Sequence, residues 1–384
     1  MSCFWCDYQR STMKLLIVLL GFITVVAGMS DKIISCYTRP NEPTPSQIDP
    51  YLCTHIMILG STYINKDCTP DMPNPSQILP MLDLKQDNSD LNIFLTLTPS
   101  NPTMSKLVQN EDLMHAYVAN VTAYLLKYEL DGFDLDWEFP AWSPDANPIF
   151  DKAGLTALLK IFRTAFDAAP RKLELSLAVA GPMTIPLKSY NISALNQYAD
   201  FVQIMNYDFH DWTWYLEVTG FNAPLYQDFK KEWPVFKDFN SNFTLHLYMN
   251  GGLAPEKIVF GIPTYARGYE LLTNDLHYDY APATGPSKMF GDDLTFPQVC
   301  AALNSGNFTV VWDDMCKSPY FWGQKQWVSY ENKKSITFKA AYAKDHHLRG
   351  IMLFDLPTDD YLGQCNMGTR YPLIRSAKRA FLGV

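Results

Sequence analysis

The sequence predicts an α/β fold, a (β/α)8 TIM barrel in which eight parallel strands alternate with helices. Short apolar runs bounded by Pro, Gly and Asp recur eight times along the chain. Amphipathic helical patterns lie between several of these runs. The chain has 384 residues, 47% of them apolar, which suffices for one large α/β domain or two ordinary ones. In such a barrel, functional side chains are expected at the carboxyl ends of the strands.

Before the barrel, residues 13–29 are predicted to form a secretory signal peptide. Lys14 precedes the unbroken apolar run LLIVLLGFITVVA, which is too short for a membrane span and leads into the small pair Ala27 and Gly28. Residues 1–12 would be an upstream extension with Met13 as an alternative start, and the barrel domain would cover residues 30–384. The protein is therefore expected to be secreted and extracellular, in an environment where disulfides persist.

The predicted strands follow one another in chain order. They cover residues 32–37, 55–60, 93–98, 132–138, 174–180, 201–206, 257–264 and 350–354. The clearest helix is 151–169, where one apolar stripe precedes Pro170, and residues 112–128 and 371–382 show similar patterns. The stripe consists of Leu155, Leu158, Leu159, Phe162 and Phe166.

The alternation is interrupted between the seventh and eighth strands. Residues 268–333 are rich in Tyr, Trp, Pro and Gly and are too long and too aromatic for a simple loop. This segment is predicted to be an insertion within the barrel domain.

The fourth strand carries the most informative stretch, LDGFDLDWEFP at residues 130–140. Asp134, Asp136 and Glu138 alternate with apolar residues, so three carboxyls share one face of a strand. Neighbouring carboxyls about 6.6 Å apart repel by roughly 2.5 kcal/mol at an effective dielectric near 20, or about two pKa units. The three acids should therefore titrate together and leave the outermost, Glu138, protonated as a general acid.

Two other interpretations of these acids are an exposed strand edge and a calcium loop. A purely apolar opposite face is unusual for an exposed edge, and Phe139 occupies the position where an EF-hand loop needs Gly.

The net charge of −9 argues against a nucleic-acid surface and is compatible with a neutral polymer. The six cysteines after residue 30 form no C-x-x-C pair, so neither a metal site nor a cofactor is expected.

The spacing of Asp131, Asp134, Asp136 and Glu138 resembles the D-x-x-D-x-D-x-E signature of the family-18 glycoside hydrolases, the chitinases and chitinase-like proteins. The resemblance implies retaining cleavage of β-1,4-linked N-acetylglucosamine polymers, in which the substrate's own N-acetyl carbonyl is the nucleophile. Glu138 would be the general acid and base, Asp136 would hold the acetamido N–H, and Asp134 would take up the shared proton. It also implies that segment 268–333 is a small α+β insertion that forms one wall of the substrate groove.

Two further motifs support the resemblance. Met205, Tyr207 and Asp208 match M-x-Y-D, and Tyr265 and Arg267 match P-T-Y-x-R. Tyr207 would donate to the acetyl oxygen, Asp208 would lie within reach of Asp136 or the acetamide, and Arg267 would contact sugar. The resemblance also implies substrate contacts from Tyr37, Trp137, Met205, Tyr265, Met352 and Phe354.

Several positions depart from the family pattern. Thr98 and Pro99 stand where family members usually have glycines, Gly60 where an aromatic is common, and Phe354 where a Trp normally floors the sugar. Replacing indole by phenyl should weaken binding by about 1 kcal/mol. Asp211 stands where a Gly is frequent and adds a charge near the site.

Cysteine spacing alone permits fifteen pairings of the six cysteines. Similarity to the family suggests Cys36 with Cys53 and Cys300 with Cys365, which leaves Cys68 with Cys316 by elimination. Four N-glycosylation sequons suit a secreted glycoprotein, and they begin at Asn120, Asn191, Asn242 and Asn307.

Two functions are predicted from different classes. The first is a secreted chitinase acting on chitin or chitooligosaccharides as a monomer, and the intact Glu138 favours it. The second is a chitinase-like lectin that binds chitooligosaccharides with little or no turnover, which the altered second, third and eighth strand ends favour. A folded secreted protein without a sugar site is the third interpretation.

Overall fold

The structure is a computed structural model that describes residues 32–142, 147–228 and 236–384. The predicted signal peptide at residues 13–29 and the upstream extension at 1–12 lie outside the described residues.

The described strands and helices alternate along most of the chain. The strands are β1 (Ile33–Thr38), β2 (His55–Ile64), β3 (Pro70–Asp71), β4 (Asn92–Leu97), β5 (Gly132–Leu135), β6 (Glu174–Ala180), β7 (Phe201–Met205), β8 (Ile258–Pro263), β9 (Ala266–Leu271), β10 (Ala283–Pro286), β11 (Asp293–Leu294), β12 (Thr309–Asp313), β13 (Ser318–Gly323), β14 (Gln326–Ser329) and β15 (Gly350–Phe354). The α-helices are α1 (Pro75–Leu82), α2 (Leu84–Asp87), α3 (Asn101–Leu107), α4 (Glu111–Lys127), α5 (Asp151–Asp167), α6 (Pro186–Ser189), α7 (Ile192–Tyr198), α8 (Ser241–Asn250), α9 (Phe296–Asn304), α10 (Lys333–Asp345) and α11 (Pro372–Leu382).

The main sheet closes into a barrel of eight parallel strands. Its order is β1-β15-β8-β7-β6-β5-β4-β2, and β2 pairs with β1 to complete the circle. The short strand β3 pairs antiparallel with the end of β2, outside the barrel. This arrangement confirms the predicted (β/α)8 fold.

Side-chain alternation along the strands separates two apolar layers. One layer fills the barrel interior, with Tyr37, Met57, Phe94, Phe201 and Met352 among its members. The larger layer packs between the strands and the surrounding helices. Because residues of opposite parity enter opposite layers, a polar residue at an interior position reaches the barrel axis.

Strand β5 shows why a small residue is needed at its start. A Cβ atom on Gly132 would lie 2.3 Å from Phe94 Cε1 and 2.4 Å from the carbonyl oxygen of Glu174. The strand then ends at Leu135, so the prediction of a strand over 132–138 was wrong at its carboxyl end. Asp136 N still donates to Leu97 O at 3.0 Å, but Glu138 lies three residues beyond the strand, in the loop that follows it.

The segment after β8 forms a second sheet. This antiparallel sheet has the order β10-β9-β14-β13-β12, with β11 pairing to β9, and α9 lies between β11 and β12. Tyr269, Tyr320 and Trp327 pack in its own apolar cluster together with Phe221 from the loop after β7. Since Phe221 comes from a barrel loop, the cluster joins the insertion to the barrel.

Both disulfides implied by the family resemblance are formed. Cys36 bonds to Cys53 between the first two strands, and Cys300 on α9 bonds to Cys365. The predicted pairing of Cys68 with Cys316 was wrong, since neither forms a disulfide. Cys68 is buried in the outer barrel layer after β2, whereas Cys316 is buried in the cluster of the insertion. The insertion leaves the barrel three strands away from β2, on the order of 14 Å at normal strand spacing, beyond the reach of a disulfide.

The four sequons lie in different environments. Asn307 is exposed in the turn before β12, and Asn120 is exposed on α4. Asn191 caps α7. Asn242 is partly buried and accepts a hydrogen bond from the Tyr342 hydroxyl at 2.8 Å, so its side chain is engaged. Among the described ranges, no helix is long and apolar enough to cross a bilayer.

Candidate active site

Asp134 lies inside the barrel and is fully buried. Its carboxylate accepts hydrogen bonds from Tyr37 Oη at 2.7 Å, Ser176 Oγ at 2.6 Å and Gln203 Nε2 at 3.1 Å. Burial raises the pKa of Asp134, and these donors work against that shift because they stabilise the ionised form. The strand register explains the cluster, since β5 pairs Asp134 with Ser176 of β6.

The carboxyls of Asp136 and Glu138 are in hydrogen-bonding contact above Asp134. Asp136 is 4% exposed, whereas Glu138 is open to solvent. Burial raises the pKa of Asp136 well above its usual range, and the charges of Glu138 and Asp134 raise it further. Although Glu138 is exposed, the surrounding protein partly desolvates its carboxyl and raises its pKa. The charge of Asp208 adds to this shift, and the hydrogen bond with Asp136 works against it. Both carboxyls therefore favour the protonated form more than free acids do, and Glu138 is the one exposed to solvent.

An aromatic cluster lies inside the barrel. The Phe354 ring, at the carboxyl end of β15, lies 5.5 Å from Tyr37, 5.6 Å from Tyr207 and 6.2 Å from Tyr265, measured between centroids. Tyr207 Oη donates to Met352 Sδ at 3.7 Å, and a thioether is a weak acceptor. Burial raises the pKa of Tyr207 well above its usual range, so its hydroxyl remains a donor. Met205 lies with these residues in the apolar interior of the barrel.

Asp208 is held at the rim by two residues of the P-T-Y-x-R segment. Its Oδ1 accepts from Tyr265 Oη at 2.5 Å and from Arg267 Nη2 at 2.6 Å. These donors engage one oxygen of Asp208, and the expectation that Asp208 lies within reach of Asp136 or the acetamide stays a prediction. Its charge nevertheless raises the pKa of Glu138.

Arg267 also contacts three acidic side chains of the rim. Its Nη1 lies 3.1 Å from Asp293, 3.4 Å from Asp292 and 3.9 Å from Asp211. The structure thus accounts for the additional charge of Asp211, which joins the carboxylates around Arg267. Burial raises the pKa of Asp211 even though the charge of Arg267 acts in the opposite direction.

Trp137 does not line the cleft, contrary to the prediction. It is 3% exposed and packs in the outer layer, because its parity is opposite to that of Asp136. Its Nε1 donates to Asn101 Oδ1 at 2.6 Å, and Asn101 Nδ2 donates to the carbonyl oxygen of Glu138 at 3.1 Å. Sequence reasoning missed Asn101, whose only signal was its position in the loop after the third barrel strand. Asp131 accepts from Lys85 and from Ile93 N, at the start of β5 and away from the cleft.

Among the described ranges, no group of three His, Cys, Asp or Glu side chains is placed to hold a metal ion.

The arrangement of acids at the strand ends agrees with a comparison of the whole sequence. The sequence profile of Glycosyl hydrolases family 18 matches residues 33–359. The chain belongs to glycosyl hydrolases family 18. All of the carboxyls described above lie within the matched range of this family.

Similar proteins include chitinases and one protein described as a pseudo-chitinase. Chitotriosidase-1 of Mus musculus is 30% identical over 351 residues, which cover 87% of this chain and 73% of that protein. The Ostrinia furnacalis Group IV chitinase in complex with allosamidin has a TM-score of 0.84 at 27% identity, covering 92% of this chain and 99% of that one. Human YKL-39, described as a pseudo-chitinase with retained chitooligosaccharide binding properties, has a TM-score of 0.82 at 24% identity, covering 92% and 100%, and so supports the fold alone.

Proposed function

We propose that the protein is a secreted chitinase that cleaves β-1,4 bonds between N-acetylglucosamine units with retention. The observation that carries this proposal is the position of Glu138, an exposed carboxyl just beyond the carboxyl end of β5 and next to the buried Asp136. A general acid needs access to the leaving oxygen, which this position supplies, and a raised pKa, which favours its protonated form. Similarity to Chitotriosidase-1 supports the choice of substrate.

The mechanism starts with the proton of Glu138. As Glu138 protonates the glycosidic oxygen, the bond from that oxygen to the anomeric carbon breaks, and the N-acetyl carbonyl oxygen forms a bond to that carbon. The resulting oxazolinium ion is positive, and Asp136 beside it accepts the acetamido N–H and stabilises the charge. Water then opens the ring, and Glu138 takes the proton of that water.

Tyr207 and Asp134 complete the proposed machinery. The Tyr207 hydroxyl donates to the weak acceptor Met352 Sδ, so it can turn to a carbonyl oxygen of the substrate with little loss. Asp134 is fixed by three donors, which keep a carboxylate beneath Asp136 to share the charge changes of the cycle. Phe354, Tyr37 and Tyr265 would form the apolar floor for the sugar.

The proposed setting is extracellular. The two disulfides favour an oxidising compartment, in agreement with a signal peptide at residues 13–29. N-glycosylation is proposed at the exposed Asn120 and Asn307. We further propose that the enzyme acts as a monomer without a cofactor.

The test is release of fluorophore from a chitotrioside by the wild type and by Glu138→Gln. Because general acid catalysis contributes about 10²- to 10⁴-fold, we expect kcat of the variant to fall by that factor while oligosaccharide binding is retained. Glutamine has nearly the same shape, so loss of folding is not expected, and thermal unfolding checks this. Equal product from both proteins contradicts the proposal.

A lectin with little turnover is the second candidate, and specific positions favour it. Phe354 is smaller than the Trp usual in the family, and Thr98 and Pro99 replace glycines at the rim. In the same assay, a wild type that releases no more product than Glu138→Gln but binds chitotetraose by calorimetry is a lectin.

A further inference from the structure

Asn101 begins helix α3 beside the segment that carries the carboxyl pair. Trp137 Nε1 donates to its Oδ1 at 2.6 Å, and its Nδ2 donates to the Glu138 carbonyl oxygen at 3.1 Å. We propose that Asn101 is a positioning residue that fixes the main chain of Glu138 and thereby sets the spacing of the Asp136 and Glu138 carboxyls. This inference rests on the proposed chitinase function.

The segment needs such a contact because it extends beyond the sheet. Strand β5 ends at Leu135, and Asp136 N to Leu97 O, at 3.0 Å, continues its pairing with β4 by one bond. Glu138 lies two residues further on. A loop residue without an anchor samples more conformations than a strand residue, so the carboxyl that it carries is less precisely placed.

The two groups that hold Asn101, the Trp137 indole and helix α3, are themselves fixed. Trp137 is 3% exposed and packed in the outer layer, so its indole is fixed by surrounding side chains. Asn101 belongs to the first turn of α3, where Met104 N donates to Ser100 O at 3.0 Å. Asn101 therefore connects a buried indole and a helix to the backbone of the catalytic acid.

An asparagine is suited to this position by its hydrogen-bonding groups. Its amide has an acceptor oxygen for the indole N–H and a donor N–H for the carbonyl oxygen. Aspartate at 101 would still accept from Trp137 but could not donate to Glu138, and its charge would face a carbonyl oxygen. Leucine has a similar shape and makes neither hydrogen bond.

The spacing of the two carboxyls matters for the hydrogen bond between them. Misplacement of a catalytic group by about 1 Å can lower the rate about 100-fold. If Glu138 moves away from Asp136, the hydrogen bond between them weakens and the pair titrates differently. Loss of the anchor should therefore alter both turnover and titration.

The experiment compares Asn101→Leu and Asn101→Asp with Thr103→Ala in the full chain. Thr103 lies in the same first turn and donates to Ser100 O, without contact to Trp137 or Glu138 in the described hydrogen bonds. With the chitotrioside, we expect kcat of both Asn101 variants to fall about 10- to 100-fold and KM to change less than about threefold. Thr103→Ala should keep the wild-type kcat. A kcat for Asn101→Asp within about twofold of the wild type overturns the proposal.

A second readout does not depend on turnover. In protein labelled with ¹³C at Asp and Glu carboxyls, the signals that disappear in Glu138→Gln report the titration of the pair. We expect their midpoint to move in both Asn101 variants, and because Asn101→Leu adds no charge, its shift reports the position of Glu138 rather than a new charge at position 101. Thr103→Ala should leave the midpoint in place, and no movement in Asn101→Leu overturns the proposal. If the wild type releases no product, the proposed enzyme function fails, and this titration alone decides the role of Asn101. Because Asn101→Asp keeps the contact to Trp137, it remains informative if Asn101→Leu does not fold.

Discussion

Glu138 has two acidic neighbours that act on it in different ways. Asp136 shares a hydrogen bond with it, whereas Asp208 acts through space from its position against Tyr265 and Arg267. Burial and the charge of Asp208 raise the pKa of Glu138. An acid that stays protonated to higher pH is available as a proton donor over a wider range.

The effect of Asp208 can be measured with Asp208→Asn. An amide at this position keeps an acceptor oxygen for Tyr265 and Arg267 but removes the negative charge. Ionisation of Glu138 then becomes easier, its pKa falls, and the proton donor is lost at a lower pH. We expect the basic limb of the kcat–pH profile with the chitotrioside to move to lower pH.

Asp314→Asn is the matched control for this experiment. Asp314 is an exposed acid of the insertion whose side chain pairs with Lys317, and it is expected to leave the profile unchanged. A basic limb that stays in place or moves to higher pH in Asp208→Asn would contradict the assigned effect of Asp208.

The acids and tyrosines of the candidate site could be predicted because each belongs to a motif at a strand end. Trp137 was assigned wrongly to the cleft. It stands between Asp136 and Glu138 in the sequence, so side-chain alternation already placed it on the opposite face. Asn101 was missed because it acts through a main-chain carbonyl, which leaves no pattern in the sequence. The role of Asp208 depended on which donors the fold brings to it, and spacing along the chain does not contain that information.

At the scale of elements, β6 links the site to the other end of the barrel. Ser176 supports Asp134, and Glu174 at the start of the strand lies beside His55 of β2 and Lys172. Burial alone would raise the pKa of Glu174, but hydrogen bonds and charges from His55 and Lys172 outweigh it and lower the pKa to about 2. Glu174 therefore stabilises the amino-terminal end of the barrel when it is ionised.

This contribution has a defined pH dependence. The unfolded chain holds Glu174 at the ordinary value of 4.5, so stability is fully present above that pH and is lost as pH falls towards about 2. We expect Glu174→Gln to lower the free energy of unfolding by about 3 kcal/mol at pH 7 and to have little effect near pH 2. Urea unfolding across this range measures the difference.

Glu111→Gln is the control, because Glu111 is an exposed acid on α4 with a distant histidine partner. It should change stability little at either pH. An effect of Glu174→Gln that is equally large near pH 2 would show that lost packing, rather than lost charge, is responsible.

The existence and order of the barrel strands could be predicted because each apolar run is bounded by residues that disfavour strands. Strand ends were less predictable. Apolar alternation continues through Trp137, but β5 stops at Leu135 because pairing to β6 ends there, at Leu177. The predicted disulfide between Cys68 and Cys316 was wrong because these two cysteines were paired only by elimination, which says nothing about the distance between them.

At the scale of the molecule, Cys300–Cys365 connects the insertion to the carboxyl-terminal part of the barrel. The bonded residues are 65 apart in sequence, against 17 for Cys36–Cys53. In the chain-entropy description, the longer loop restricts the unfolded chain more strongly. The disulfide of the insertion should therefore contribute more to stability than that of the first strands.

We expect the double replacement Cys300→Ser with Cys365→Ser to lower the free energy of unfolding by about 4 kcal/mol, and Cys36→Ser with Cys53→Ser by about 3 kcal/mol. Urea unfolding of both variants and the wild type gives the comparison. A larger loss from the shorter loop would indicate that native packing around Cys36 outweighs the entropy of the unfolded chain.

The barrel is closed by its last strand, because β15 lies between β1 and β8. Gly350 at the start of β15 fits there because a Cβ atom would lie 2.3 Å from the carbonyl oxygen of Ile33. During synthesis, the edges of β1 and β8 thus stay unpaired until β15 has left the ribosome. A nascent chain with unpaired strand edges is vulnerable to aggregation. We therefore expect the yield of the protein in cells to depend on chaperones that bind the chain until β15 pairs with β1 and β8.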